Sequence, residues 1–77
     1  MKAHDVIKEV LDLRGMTIGV LAEKLGYSHR SGAAERLRGQ KSMGTDVLID
    51  FLNAIDCELV IRSKLKDKGE WVVTKNH

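Results

Sequence analysis

What most constrains this chain is its punctuation. It contains seven glycines and no proline, and Gly15, Gly26 and Gly39 each close a short stretch of helical hydrophobic spacing. Glycine at such a boundary supplies the left-handed backbone conformation with which helices commonly end, and it allows a sharp change of direction. From about His4 to Arg14, Val6, Ile7, Val10, Leu11 and Leu13 recur at helical spacing, and Gly15 is placed to stop that helix. Thr17 can cap a second helix running to Leu25, with Leu21, Ala22 and Leu25 on its inner face. Ser28 or Ser31 can cap a third helix ending at Arg38. Thr45 can cap a fourth, DVLIDFLNAI, whose Val47, Leu48, Phe51, Leu52 and Ile55 make the strongest amphipathic pattern in the chain. Asp46 in its first turn complements the helix dipole.

After Asp56 the hydrophobic period changes from helical to two. In CELVIRSKL, Leu59, Ile61 and Leu65 alternate with Glu58, Val60, Arg62 and Lys64, the pattern of a half-buried strand. KDKG reads as a reversal and EWVVT as a returning strand, with Trp71 the largest apolar group of the hairpin. The expected architecture is mainly α: about four helices over residues 1–56, then a C-terminal β-hairpin and tail over 57–77, in one domain. A chain of 77 residues buries only about 60% of its unfolded surface, so packing on a second copy or a partner is a natural supplement.

Several functional classes are excluded at this level. No apolar run approaches the ~20 residues of a membrane span, and MKAHDVIKEV lacks the apolar centre of a signal peptide, so a cytoplasmic protein is expected. Cys57 is the only cysteine, which rules out an intrachain disulfide and a thiol-rich zinc site; it reads as a small half-buried residue after a helix. His4, His29 and His77 show no ligand spacing, so neither a metal nor another cofactor is expected. No nucleophile–base pair, carboxylate pair or phosphate-binding glycine loop occurs at usable spacing, so neither an enzyme nor a small-molecule substrate is expected.

The informative stretch is YSHRSGAAERLRG, residues 27–39. Ala33 and Leu37 share one narrow face of the helix it forms, leaving Arg30, Ser31, Ala34, Glu35 and Arg38 for the others. Net charge over the whole chain is only +2, yet Arg30, Arg36, Arg38 and Lys41 against Glu35 concentrate +3 within residues 28–43. A slim, basic helix following a short capped one is suited to a groove about 12 Å wide lined by phosphates. Gly32, Ala33 and Ala34 are read as the residues that keep it slim.

The run from Met16 to Ile61 resembles the lambda-repressor-like helix-turn-helix family of phage repressors, Cro proteins and small XRE-type regulators. The resemblance is carried by Thr17, Leu21, Ala22 and Gly26 in a T-x-x-x-L-A-x-x-L-G pattern, by Ser28, by Leu37-Arg38-Gly39, and by the helix from Thr45 to Ile55. It covers about residues 4–61. It implies that Thr17 lies near a phosphate, with Ser28 and His29 in the turn. Arg30, Ser31, Ala34, Glu35 and Arg38 would then lie on or beside the recognition face, and Lys41 and Ser42 would approach the backbone from the next loop. The chain departs from the pattern at Ile18-Gly19-Val20, where relatives carry polar or acidic residues, and at Asp56, where they carry glycine. The register between Ser28 and Ala33 is open by one residue.

The resemblance implies a sequence-specific, repressor-like regulator that binds a pseudo-palindromic operator in double-stranded DNA as a homodimer. Arg36, Arg38 and Lys41 would neutralise phosphates, and Arg30 and Ser31 would reach base edges. Leu59, Ile61, Leu65, Trp71 and Val73 are the expected dimerisation residues. Two further readings stand beside it: an antitoxin-type autorepressor that captures a toxin through the hairpin, and a protein-interaction adaptor that keeps the fold without binding DNA.

Overall fold

In the computed structural model, which describes residues 1–75, four helices precede a two-stranded antiparallel sheet. The helices are α1 (Ala3–Arg14), α2 (Ile18–Leu25), α3 (Arg30–Leu37) and α4 (Thr45–Ala54); the strands are β1 (Leu59–Arg62) and β2 (Glu70–Val73). Asn76 and His77, the end of the expected tail, lie outside the described residues. No helix among the described residues is long and apolar enough to cross a membrane.

Local signals account for the first two helices. Gly15 (φ 62°) and Gly26 (φ 79°) both take the left-handed conformation, and the Gly26 amide donates back to the last turn of α2. Thr17 caps α2 through its hydroxyl, which accepts from the Val20 amide at 3.2 Å. The other two caps differ from expectation. His29, not Ser28 or Ser31, is the N-cap of α3, and Gly44, not Thr45, is the N-cap of α4; neither end receives a side-chain capping bond. Thr45 is instead the first residue of its helix.

The four helices converge on one core. Ile7 of α1, Leu21 of α2, Ala33 and Leu37 of α3, and Phe51 of α4 are completely or almost completely buried, and Ile55 closes the base just beyond α4. Full burial of the Ile, Leu and Phe side chains contributes roughly 1.5–3 kcal/mol apiece, and the Ala33 methyl less than that. Two members of the α1 pattern face outward: Leu13 is 84% exposed and Val6 is also exposed, so the buried stripe of α1 is narrower than the spacing suggests. On α4 the periodic set is half-buried at Val47, Leu48 and Leu52, while Ile49 is buried. The chain leaves α4 through Asp56, whose φ of 56° supplies the left-handed turn that glycine supplies elsewhere.

The hairpin pairs Leu59 with Val73, Val60 with Val72, Ile61 with Trp71 and Arg62 with Glu70. It is shorter than the alternation suggests, because Leu65 belongs to the connecting loop and is exposed. Ser63 organises that loop, its hydroxyl bonding to the Asp67 carboxylate and accepting from the Leu65 amide. Trp71 folds its indole over Gly69, where a Cβ would collide with the ring. Leu59 and Val73 are half-buried toward α4, whereas Ile61 (59% exposed) and Trp71 (56%) stand in solvent. Lys75, just past β2, ties the chain end to α4 through a 2.9 Å bond to Asp50.

Candidate nucleic-acid interface

The candidate surface is built on α3 and the turns at its two ends. Gly26 reverses the chain after α2, and the Tyr27 amide donates to the Ala22 carbonyl at 3.0 Å, which locks the turn onto the helix it leaves. Tyr27 then drops its ring between the core and α3. It meets Phe51 edge-on, with centroids 6.2 Å apart and planes at 64°, and it packs against the Gly32 backbone. A Cβ on Gly32 would stand 3.3 Å from the Tyr27 Cδ2. Sequence alone makes Gly32 a residue that slims the outer face of α3, but what it makes room for is this ring.

Ala33, Ala34 and Leu37 form the buried stripe of α3. Ala34 is therefore corrected from an outer position to an inner one: it retains only 7% of its exposure. Two of the four basic residues are turned back on the helix. Arg36 donates from Nη1 to the Gly32 carbonyl at 3.1 Å, and its guanidinium carbon lies 5.7 Å from the centre of the Tyr27 ring. Its Nε is buried without a hydrogen-bond partner. The expected phosphate ligand is thus a half-buried, ring-stacked side chain, and its position makes Arg36 a brace for the turn. Arg38 donates from Nε to the Ala34 carbonyl at 3.3 Å, yet the residue as a whole stays exposed.

The remaining candidates are on the outside. Ser28, His29, Arg30 and Ser31 are all exposed where the chain enters α3. His29 offers no side-chain cap, which leaves the first-turn amides of α3 without a side-chain acceptor. Beyond the helix, Lys41 and Ser42 are exposed, and Lys41 forms a 3.1 Å ion pair with Glu35. Thr17 is exposed at the start of α2 while serving as its cap. Arg30, Ser31, Arg38 and Lys41 are thus exposed on α3 and the loop that follows it, with the half-buried Glu35 paired to Lys41. Among the described residues no cluster of three or more His, Cys, Asp or Glu is placed to hold a metal ion.

Compared with family models, with curated proteins and with solved structures, the chain has no match.

Proposed function

We propose that the protein is a sequence-specific DNA-binding regulator of the lambda-repressor-like helix-turn-helix type, acting as a homodimer on a pseudo-palindromic site. The observation that carries this reading is the division of α3 into two sides. Its buried side is reduced to Ala33, Ala34 and Leu37, while Arg30, Ser31 and Arg38 stay exposed beside Lys41. A helix built this way spends little of its circumference on the core and keeps the rest for a groove. In this reading α2 crosses the phosphate backbone and α3 enters the major groove. The exposed N-terminal end of α3 then brings Arg30 and Ser31 to base edges, where an arginine can read guanine bidentately.

Lys41 and Arg38 supply the sequence-independent attraction to phosphates, and Arg36 braces the turn through Tyr27. Regulation would follow from occupancy of the site itself, by occlusion. The test is selection from a random duplex pool by the purified protein. Enrichment of a two-fold symmetric motif with half-sites about one helical turn, ~34 Å, apart supports the reading. Failure to enrich any duplex sequence removes it.

A further inference from the structure

Exposed large apolar side chains gather on the hairpin: Val60, Ile61, Leu65, Trp71 and Val72. They occupy both of its faces. Neighbours along a strand point to opposite sides, so the Ile61–Trp71 pair lies on one face and the Val60–Val72 pair on the other. Leu65, 75% exposed, stands in the connecting loop, and the Trp71 indole bends back over Gly69 toward that same end.

Basic residues are interleaved with these apolar ones. Residues 62–70 carry Arg62, Lys64, Lys66 and Lys68 against Asp67 and Glu70, four bases less two carboxylates, for a net +2. Both carboxylates are engaged locally: Asp67 accepts from the Ser63 hydroxyl, and Glu70 holds Arg62 at 3.3 Å. Lys64, Lys66 and Lys68 are exposed and have no ion-pair partner among the described residues.

We propose that this end of the hairpin docks on an anionic lipid bilayer, with Leu65, Ile61 and Trp71 sunk to the boundary between headgroups and acyl chains and the three lysines among the lipid phosphates. Two observations choose that occupant. Apolar side chains on both faces suit a medium that surrounds the tip, whereas a groove on another protein covers one face. A duplex would meet the lysines with phosphate but offers no apolar phase to Leu65, Ile61 and Val72. The interleaving fits the same boundary. Lysine stems lie along apolar surface while their ammonium groups reach outward, and an indole ring favours the interfacial level. Docking is peripheral, about 5–10 Å deep, where water still reaches the main-chain groups of the turn. This inference goes beyond the proposed function and uses no residue of α3, so the two stand or fall separately.

The test is vesicle binding by the full-length protein without DNA, read by co-sedimentation and by the emission of Trp71, the single tryptophan of the chain. Vesicles of equal parts phosphatidylcholine and phosphatidylserine should pull the protein down and shift its emission to shorter wavelength. Phosphatidylcholine alone should bind it far more weakly. Lys64→Gln, Lys66→Gln and Lys68→Gln should each lower the partition coefficient about five-fold, and Leu65→Ser about ten-fold. Leu13→Ser is the matched control: Leu13 is as exposed as Leu65 but lies on α1, and its loss should leave vesicle binding unchanged. Circular dichroism checks that each variant keeps its fold.

The proposal is overturned if anionic vesicles do not bind the protein, if phosphatidylcholine alone binds it equally, or if Leu65→Ser weakens binding no more than Leu13→Ser. Binding untouched by all three lysine substitutions overturns it as well. Emission that shifts with duplex DNA and not with vesicles assigns the tip to nucleic acid, against the proposal. Emission that moves to longer wavelength on dilution of the lipid-free protein shows the tip covered by a second copy, with the same result. Vesicle binding without enrichment of any duplex sequence removes the DNA reading and spares this one; an enriched duplex motif without vesicle binding does the reverse.

Discussion

Tyr27 and Gly32 are in contact across the turn between α2 and α3, with the tyrosine ring 3.3 Å from where a Cβ on residue 32 would stand. The contact joins the core to the candidate surface, because the same ring touches Phe51 on one side and the Arg36 guanidinium on the other. Tyr27→Ala should therefore destabilise the fold by about 2–3 kcal/mol, below the range for a fully buried aromatic because Tyr27 is half-buried. Tyr27→Phe should stay within about 0.5 kcal/mol, since the ring and not the hydroxyl makes the contacts. Urea denaturation of the two variants separates these outcomes.

Asp56 ends α4 with a φ of 56°, which an L-residue adopts at a cost and glycine adopts freely. Its carboxylate also sits at the negative end of the helix dipole. Asp56→Gly should stabilise the protein by roughly 1 kcal/mol, and thermal unfolding should show the midpoint rising by about 4–8 °C. A lower midpoint would mean that the Asp56 side chain contributes something its backbone conformation does not reveal.

Lys75 is bonded to Asp50, and that hydrogen bond together with the Asp50 charge holds its pKa above the usual lysine value of 10.5. A folded-state pKa raised above the unfolded one gives stability that is fully present below pH 10.5 and lost as the pH climbs through the folded value. The stability difference between wild type and Lys75→Met should be constant at neutral pH and shrink in strongly alkaline solution. A difference growing with pH would contradict the assignment.

Glu35 holds Lys41 at 3.1 Å within the otherwise basic surface. If that surface meets phosphates, Glu35→Gln both removes a repelling charge and frees Lys41. Duplex affinity should rise, and the slope of log K against log salt should steepen by about 0.9 for each additional phosphate neutralised. Unchanged affinity and slope would place Lys41 away from the duplex.

Much of the helical frame is legible in the sequence because its signals are local. Gly15, Thr17 and Gly26 each act on the backbone next to them, so the ends of α1 and α2 follow from residue type. What escapes depends on partners distant in sequence. Nothing in RSGAAERL distinguishes an exposed Ala34 from a buried one, since alanine suits both and only packing against the other helices decides. Arg36 passes for a phosphate ligand until Tyr27, nine positions away, supplies a ring for it. The hairpin is visible in the alternation of Leu59 and Ile61, but Leu65 continues the pattern past the strand because the Ser63–Asp67 loop interrupts it. Of the candidate surface, Arg30, Ser31, Arg38 and Lys41 are identifiable from charge and position alone, and the Glu35–Lys41 pair is not.

The measurement that bears most directly on the central claim is a fluorescence anisotropy titration of duplex DNA at several salt concentrations, with wild type, Arg30→Ala and Lys41→Ala. The account predicts that wild-type affinity falls linearly in log–log form with salt. Lys41→Ala should weaken binding evenly across sequences and flatten the salt slope by about one, whereas Arg30→Ala should relax preference for the selected sequence. Binding that is absent, insensitive to salt, or untouched by both substitutions would contradict it.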